Sequence, residues 1–452
     1  MKAKKLFAGI LISSILLSTA SGCANKTKTK SGLATIDKDN GNDAIFELVS
    51  GKSAKSKSDD EDLKKAYSEF VLGLAKRCAE KSGEENFLIS SDSVLFALEM
   101  TAAGADGDTL DQMLDTLMPG ADKEDAFLFA VDRMSQLRSN QLSLANSVWI
   151  NEKEKAAFYS NYLKYVEDNF DAKIDSVPFD DTGVDKINSW VNDNTAGMIP
   201  TLIDKLSTDD VMVLVNALAF DAKWKKAFDP EDVEDGTFLS GDGTREDCKY
   251  LCGENDVVYL CNDTATGFYK RYEGEKYAFM VILPGAPEPD FLSFDDLENN
   301  NSRSKSDETD WTMVDINRYV SLMTAEDYWD FWNSRNYEDE VEYMFPEFTS
   351  EYSTSLKDIL HDMGMEDAFN SSANFENMSD LKPLFIGDVI HKTKIEVNAT
   401  GTKAAASTGV IMEHNSVIMQ RKVICNRPFA YAIVDVETGL PIFFGTVEHV
   451  NE

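Results

Sequence analysis

Hydrophobic and polar positions along the chain switch between a four-residue and a two-residue rhythm, and each switch marks an element. From Leu63 to Glu80 the apolar positions Ala66, Phe70, Leu74 and Cys78 fall on one face, which predicts a helix. The run Phe87-Leu88-Ile89 predicts a short strand. Ser90-Ser91-Asp92-Ser93 then supplies helix-capping residues for a second helix, which carries Val94, Leu95, Leu98 and Met100 and stops near Gly104. Tyr328, Trp329, Phe331 and Trp332 read as the core side of a helix rather than a ligand box. Near the C-terminus, His391 to Asn398 alternates like a strand, and Val423 to Phe429 begins another.

Between those last two strands lies a long connection, Ala399 to Met419, longer than compact domains usually hold without a functional reason. Its first half, Gly401 to Gly409, is nearly all Gly, Ala, Ser and Thr; its second half turns apolar. The bland reading is an Ala-rich helical turn or a flexible linker. The other is a latent strand. If Thr402 faces a core, so do Ala404, Ala406, Thr408, Val410, Met412 and His414, while Lys403 and Glu413 fall on the opposite face.

Composition narrows the function classes. With 452 residues and 43% apolar content the chain has enough material for one large or two ordinary domains. A net charge of −36, dispersed along the sequence, argues against nucleic-acid binding and against charge-driven adhesion to anionic lipid. Lys2, Lys4 and Lys5 precede an apolar run from Leu6 to Leu17, which predicts a targeting segment over residues 1–22 rather than a permanent span. Ala20-Ser21-Gly22-Cys23 resembles a bacterial lipoprotein box, which implies a lipidated Cys23 as the mature N-terminus. Residues 23–62 are polar and read as a flexible tether to a globular body over 63–452. Two motifs in the tether fail. Gly51-Lys52-Ser53 lacks the first glycine of a phosphate loop, with Phe46 in its place, and Asp37-Lys38-Asp39-Asn40-Gly41 has Leu48 where a calcium loop needs its bidentate acid. Cys78, Cys248, Cys252, Cys261 and Cys425 are read as free or buried thiols, with no metal site. No nucleophile elbow or paired-histidine metal motif is present, so nothing points to catalysis and no cofactor is expected. His361, beside Asp362, is read as part of a solvated helix surface.

A family then comes into view in ordered blocks. Asn86-Phe87, Ser90 and Ser93, followed by Gly104-Ala105, Gly107, Thr109 and Gln112, resemble the N-terminal signature of the serpins, with Ser91 where a proline is usual. The strand-like run ending at Ile150 follows, then Ile187-Asn188-Ser189-Trp190-Val191 and Leu214-Val215-Asn216-Ala217-Leu218-Ala219-Phe220 with Trp224 and Phe228. Leu283-Pro284, Phe345-Pro346-Glu347-Phe348, His391-Lys392, Glu396-Val397-Asn398, Gly401-Thr402, Ala404-Ala405-Ala406, Pro428-Phe429 and Phe444-Gly445 complete the resemblance over about 63 to 452. Between Pro284 and Phe345 the chain is longer than the family's usual length, which predicts an inserted surface loop around Asn299 to Asp310.

The resemblance implies an α+β fold of about nine helices around three β-sheets, with a large central mixed sheet and an exposed reactive-centre loop at about 399–422. It also implies a monomeric inhibitor that forms a covalent 1:1 complex with a target serine protease by inserting its cleaved loop into that sheet. Gly401, Thr402, Ala404, Ala405, Ala406 and Thr408 match the loop hinge. Ser90, Ser93, Asn216 and His391 match the polar region where the sheet opens, and Trp224 matches the top of the sheet. Ala399 stands where the family usually has Glu, which removes an ion pair. Counting forward from the hinge glycine puts the cleaved bond at Asn415–Ser416; counting back from Asn426 puts it at Val417–Ile418, and Met412 and Met419 are alternative sites. Neither count places Lys or Arg at the bond, so the expected targets are elastase-like, then chymotrypsin- or subtilisin-like, proteases. The expected location is the extracellular face of a bacterial membrane, through the Cys23 anchor or after shedding. A non-inhibitory serpin and a surface ligand-binding lipoprotein are the alternative readings.

Overall fold

The computed structural model describes residues 58, 60–208, 210–285, 315–402 and 420–451. The targeting segment, Cys23, most of the tether, the expected insertion, His414 and the loop positions Ala404, Ala405, Ala406, Thr408, Met412, Asn415, Ser416, Val417, Ile418 and Met419 lie outside the described residues.

Nine α-helices occur among the described residues: α1 (Asp60–Ser82), α2 (Ser91–Ala102), α3 (Gly107–Leu117), α4 (Lys123–Leu137), α5 (Ser160–Phe170), α6 (Asp181–Asn194), α7 (Ile316–Leu322), α8 (Ala325–Asn333) and α9 (Lys357–Asp362). The first starts three residues before the apolar rhythm does, because Asp60, Glu61 and Asp62 complement the positive end of the helix dipole. Ser90 occupies the N-cap of α2 with extended backbone, yet its side chain makes no capping bond. The capping expectation therefore fails at Ser90; its hydroxyl is buried without a partner among the described residues.

A six-stranded antiparallel sheet lies at the centre of the main core, in the order β1 (Leu88–Ile89), β17 (Pro441–Val447), β16 (Phe429–Asp435), β10 (Tyr277–Pro284), β9 (Ala265–Arg271), β8 (Val257–Cys261). Every residue of β10, β16 and β17 is buried, so these strands are apolar without alternation. A four-stranded sheet orders β15 (Gln420–Ile424), β11 (Glu340–Pro346), β7 (Arg245–Glu254) and β6 (Val233–Leu239). The single strand expected from Val423 to Phe429 is thus two, β15 and β16, in different sheets. Pro428 between them has no N–H to continue a ladder.

The central sheet forms two ladders. One contains β3 (Lys173–Val177), β2 (Leu142–Asn151) and β4 (Met212–Phe220); the other contains β12 (Phe348–Ser355), β13 (Ile390–Asn398), β14 (Gly401–Thr402) and β5 (Ala222–Lys223). Both parallel and antiparallel pairs occur. Since β5 follows β4 across the single residue Asp221, the two ladders meet at one end, where β14 lies between β13 and β5. Among the described residues no ladder joins β4 to β13 beyond that end. The result is a seam. On the outer face of β2 and β4, Val184, Ile187 and Val191 of α6 form a second apolar cluster with Trp149, Val215, Ala217 and Ala219.

Candidate functional site

Gly401 and Thr402 close the top of the seam. They pair on one side with Asn398 and Val397 and on the other with Lys223 and Ala222. Gly401 has φ of +151°, and a Cβ there would lie 2.2 Å from the Ala222 carbonyl oxygen, so the close approach of the strands requires glycine. Thr402 is fully buried, and its hydroxyl shares a hydrogen bond of 2.8 Å with the Tyr272 hydroxyl. Tyr272 in turn stacks on Trp224, with ring centroids 4.5 Å apart and 9° between planes. Three further bonds stitch this end: Trp224 Nε1 donates to the Asn398 carbonyl at 2.9 Å, Trp224 N–H to Thr400 at 3.2 Å and Phe228 N–H to Ala399 at 3.0 Å. The Ala399 N–H donates to Glu347 Oε1 at 2.8 Å, so a backbone-to-carboxylate bond serves the position whose ion pair the Ala removes.

Beneath the aromatic group sits a buried ammonium. Lys270 Nζ donates to Asp256 Oδ2 and to the Tyr343 hydroxyl at 2.9 Å, and lies 4.6 Å from the Phe228 ring centroid. Burial pulls its pKa below the ordinary lysine value, against the opposing pull of Asp256.

Lower down, the start of α2 spans the seam. The Ser90 N–H donates to His391 Nε2 on β13 at 3.1 Å, and the Ser93 hydroxyl donates to Asn216 Oδ1 on β4. Asn216 continues the network, donating to Asn146 Oδ1, and Asn146 donates to the Phe170 carbonyl at 2.8 Å. Thr393, two residues along β13 from His391, donates to the Leu88 carbonyl at 2.7 Å. Ser90, Ser93, Asn216 and His391 therefore converge in one polar cluster, while Trp224, Gly401 and Thr402 converge in another at the end of the seam. Neither Tyr272 nor Asn146 was singled out from sequence. Asn146 left one trace, an amide in the middle of the strand that carries Val148, Trp149 and Ile150; Tyr272 left none.

His391 is buried, and burial alone lowers its pKa to about 4. The folded state holds fewer protons here than the unfolded chain, so this contribution to stability is lost as pH falls from about 6.5 toward about 4. Protonation also removes the lone pair that accepts the Ser90 N–H. We expect wild type to lose roughly 2–3 kcal/mol more than His391→Gln between pH 7 and pH 4.5, read from urea midpoints, because Gln keeps an acceptor without titrating. Equal losses in the two proteins would refute this assignment.

Elsewhere the outcomes are simple. Cys78 and Cys425 are buried, Cys248, Cys252 and Cys261 half-buried, and all five thiols are unpaired. His361 is exposed, 3.7 Å from Asp362, and His449 bonds Glu246 at 2.6 Å. Tyr328, Phe331 and Trp332 are buried on α8.

A family profile described as serpin, serine protease inhibitor, matches residues 65–450. The chain belongs to the serpin family. Among solved structures, the native state of tengpin, a thermophilic serpin, is similar with a TM-score of 0.74 at 32% identity, over 88% of this chain and 96% of that one. Among curated proteins, neuroserpin of Gallus gallus is 25% identical over 421 residues, covering 89% of this serpin and 94% of the relative. The leukocyte elastase inhibitor of Bos taurus is 27% identical over 394 residues, covering 85% and 98%. The family description is that of a serine protease inhibitor, and the bovine relative is one member named as an inhibitor.

Proposed function

We propose that this serpin is a suicide inhibitor of elastase-like serine proteases, with chymotrypsin- and subtilisin-like enzymes as secondary targets. The observation that carries the reading is β14: the loop residues Gly401 and Thr402 already fill the end of the seam, and among the described residues no ladder joins β4 to β13 beyond them. A protease serine attacks the loop carbonyl, the peptide bond breaks, its proton goes to the departing amine, and an acyl ester remains. The freed segment then continues β14 into the seam as a strand of the central sheet, its small residues from Ala404 to Thr408 offering little resistance, and the ester is trapped before water reaches it.

Asn415–Ser416 is the bond favoured by counting from Gly401, with Met412, Val417, Ile418 and Met419 as alternatives. The lack of Lys or Arg at the bond, with apolar Met412, Val417, Ile418 and Met419 as the alternatives, supports the elastase-like class, and a relative named as a leukocyte elastase inhibitor is compatible with it. Ser90, Ser93, Asn216 and His391 act as the sheet-opening cluster, and Trp224 as the entry point. The protein works as a monomer, held at the outer face of a bacterial membrane through lipidated Cys23, with residues 23–62 as the tether. The test is incubation of the purified protein with elastase and, in parallel, with trypsin, followed by a denaturing gel. A band at the summed mass with elastase supports the reading. Such a band only with trypsin overturns the target class, and complete cleavage with no such band removes the inhibitor claim.

A further inference from the structure

The cluster at the start of α2 is anchored from behind by charges that the loop mechanism does not use. Asp92, in the first turn of α2, is fully buried. Arg133 of α4, 1% exposed, grips it with both arms: Nε to Oδ1 at 2.8 Å and Nη2 to Oδ2 at 2.9 Å. The Tyr67 hydroxyl of α1 adds a third bond to Oδ1 at 2.8 Å. At the other end of the same helix, buried Asp125 accepts from the Ser58 N–H and hydroxyl at 2.9 and 2.6 Å.

We infer that Asp92 and Arg133 are positioning residues for loop insertion, fixing the first turn of α2 so that it ties β4 and β13 together until a strand arrives. Asp92 lies between Ser90, which binds His391 on β13, and Ser93, which binds Asn216 on β4. Any roll of that turn changes both ties at once. The energetics favour position over stability as the role of the pair. Buried ion pairs rarely stabilise a protein more than well-packed apolar residues of the same volume, because desolvation offsets attraction. Arg133 Nη1 is also buried without a partner among the described residues, a further cost that stability alone would not select. A forked, three-bonded carboxylate does fix direction, which packing alone does not.

This inference rests on the loop-insertion reading, and the test separates the two. Asp92→Leu/Arg133→Met removes both charges together, which avoids stranding one. Ser58→Ala removes a tie on the same helix that does not touch the seam. Each protein is nicked within residues 403–419 by any competent protease, and heat resistance is followed with time as the cut loop inserts. The double variant should insert about tenfold faster than wild type, equivalent to about 1.4 kcal/mol on the barrier. Its uncut melting temperature should stay close to that of wild type, and Ser58→Ala should insert at the wild-type rate. Equal rates for the double variant and wild type, or the same acceleration in Ser58→Ala, overturn the inference. If nicked wild type gains no heat resistance at all, the loop-insertion reading itself fails, and the inference with it.

Discussion

Thr402→Arg is expected to leave loop cleavage intact and to abolish trapping. The Thr402 side chain is fully buried, and its polar partner among the described residues is the Tyr272 hydroxyl, whose ring stacks on Trp224. A guanidinium there takes the place of a hydroxyl that bonds a tyrosine, and burying an unpaired charge costs several kcal/mol even after relaxation. In the proposed mechanism insertion starts from this position, so the cost falls on the barrier that competes with ester hydrolysis. Each 1.4 kcal/mol shifts that competition about tenfold, so covalent complex should fall by about a hundredfold or more while the rate of loop cleavage changes by no more than about twofold. Because β14 already holds Thr402 in the native state, the uncut variant should also lose the bonds of Trp224 to Asn398 and Thr400. Tryptophan fluorescence reports that loss directly. Undiminished complex formation by Thr402→Arg would mean that insertion does not begin at β14.

The second large effect is on heat resistance. In the proposed mechanism, the cleaved strand continuing from β14 runs between β4 and β13, each nine residues long. Pairing along both edges adds on the order of ten ladder hydrogen bonds, each worth about 1 kcal/mol net. With an unfolding entropy of about 2 cal/mol/K per residue, roughly 10 kcal/mol raises the melting temperature of a domain this size by on the order of 10–20 °C. Calorimetry of native and nicked protein measures it. An unchanged or lowered transition would mean that the seam does not accept the loop.

How much of this was legible in the sequence depends on the range of the interaction. Local rhythm was enough for α1, α2 and β13, whose apolar faces are written within a few turns or residues. Rhythm did not separate β15 from β16, since the apolar end of β15 at Val423-Ile424 and the start of β16 at Phe429 are a few residues apart and only Pro428 marks the break. The cluster of Ser90, Ser93, Asn216 and His391 was named through family blocks, not through spacing: Ser90 and His391 lie 301 residues apart. The division of the central sheet into two ladders left no trace, because β4 and β13 carry patterns suited to any half-buried strand. Asp92 was misleading. It stands among Ser residues in a helix-start context, which suggests a solvated cap, and its partner Arg133 is 41 residues away in a helix of its own. Tyr272 lies just past the end of β9, and only its bond to Thr402 and its stack on Trp224 distinguish it from the other tyrosines.

The most direct measurement is amide hydrogen exchange along Met212–Phe220 and Ile390–Asn398 before and after a single cut in the loop. Among the described residues the seam-facing amides of both strands have no ladder partners beyond β14, so they should exchange faster than amides of β10 and β16. After cleavage both sets should become as protected as the core, and only if the cut lies C-terminal to the hinge. Seam amides that are already protected in the native protein, or that stay exposed after the cut, would contradict the account.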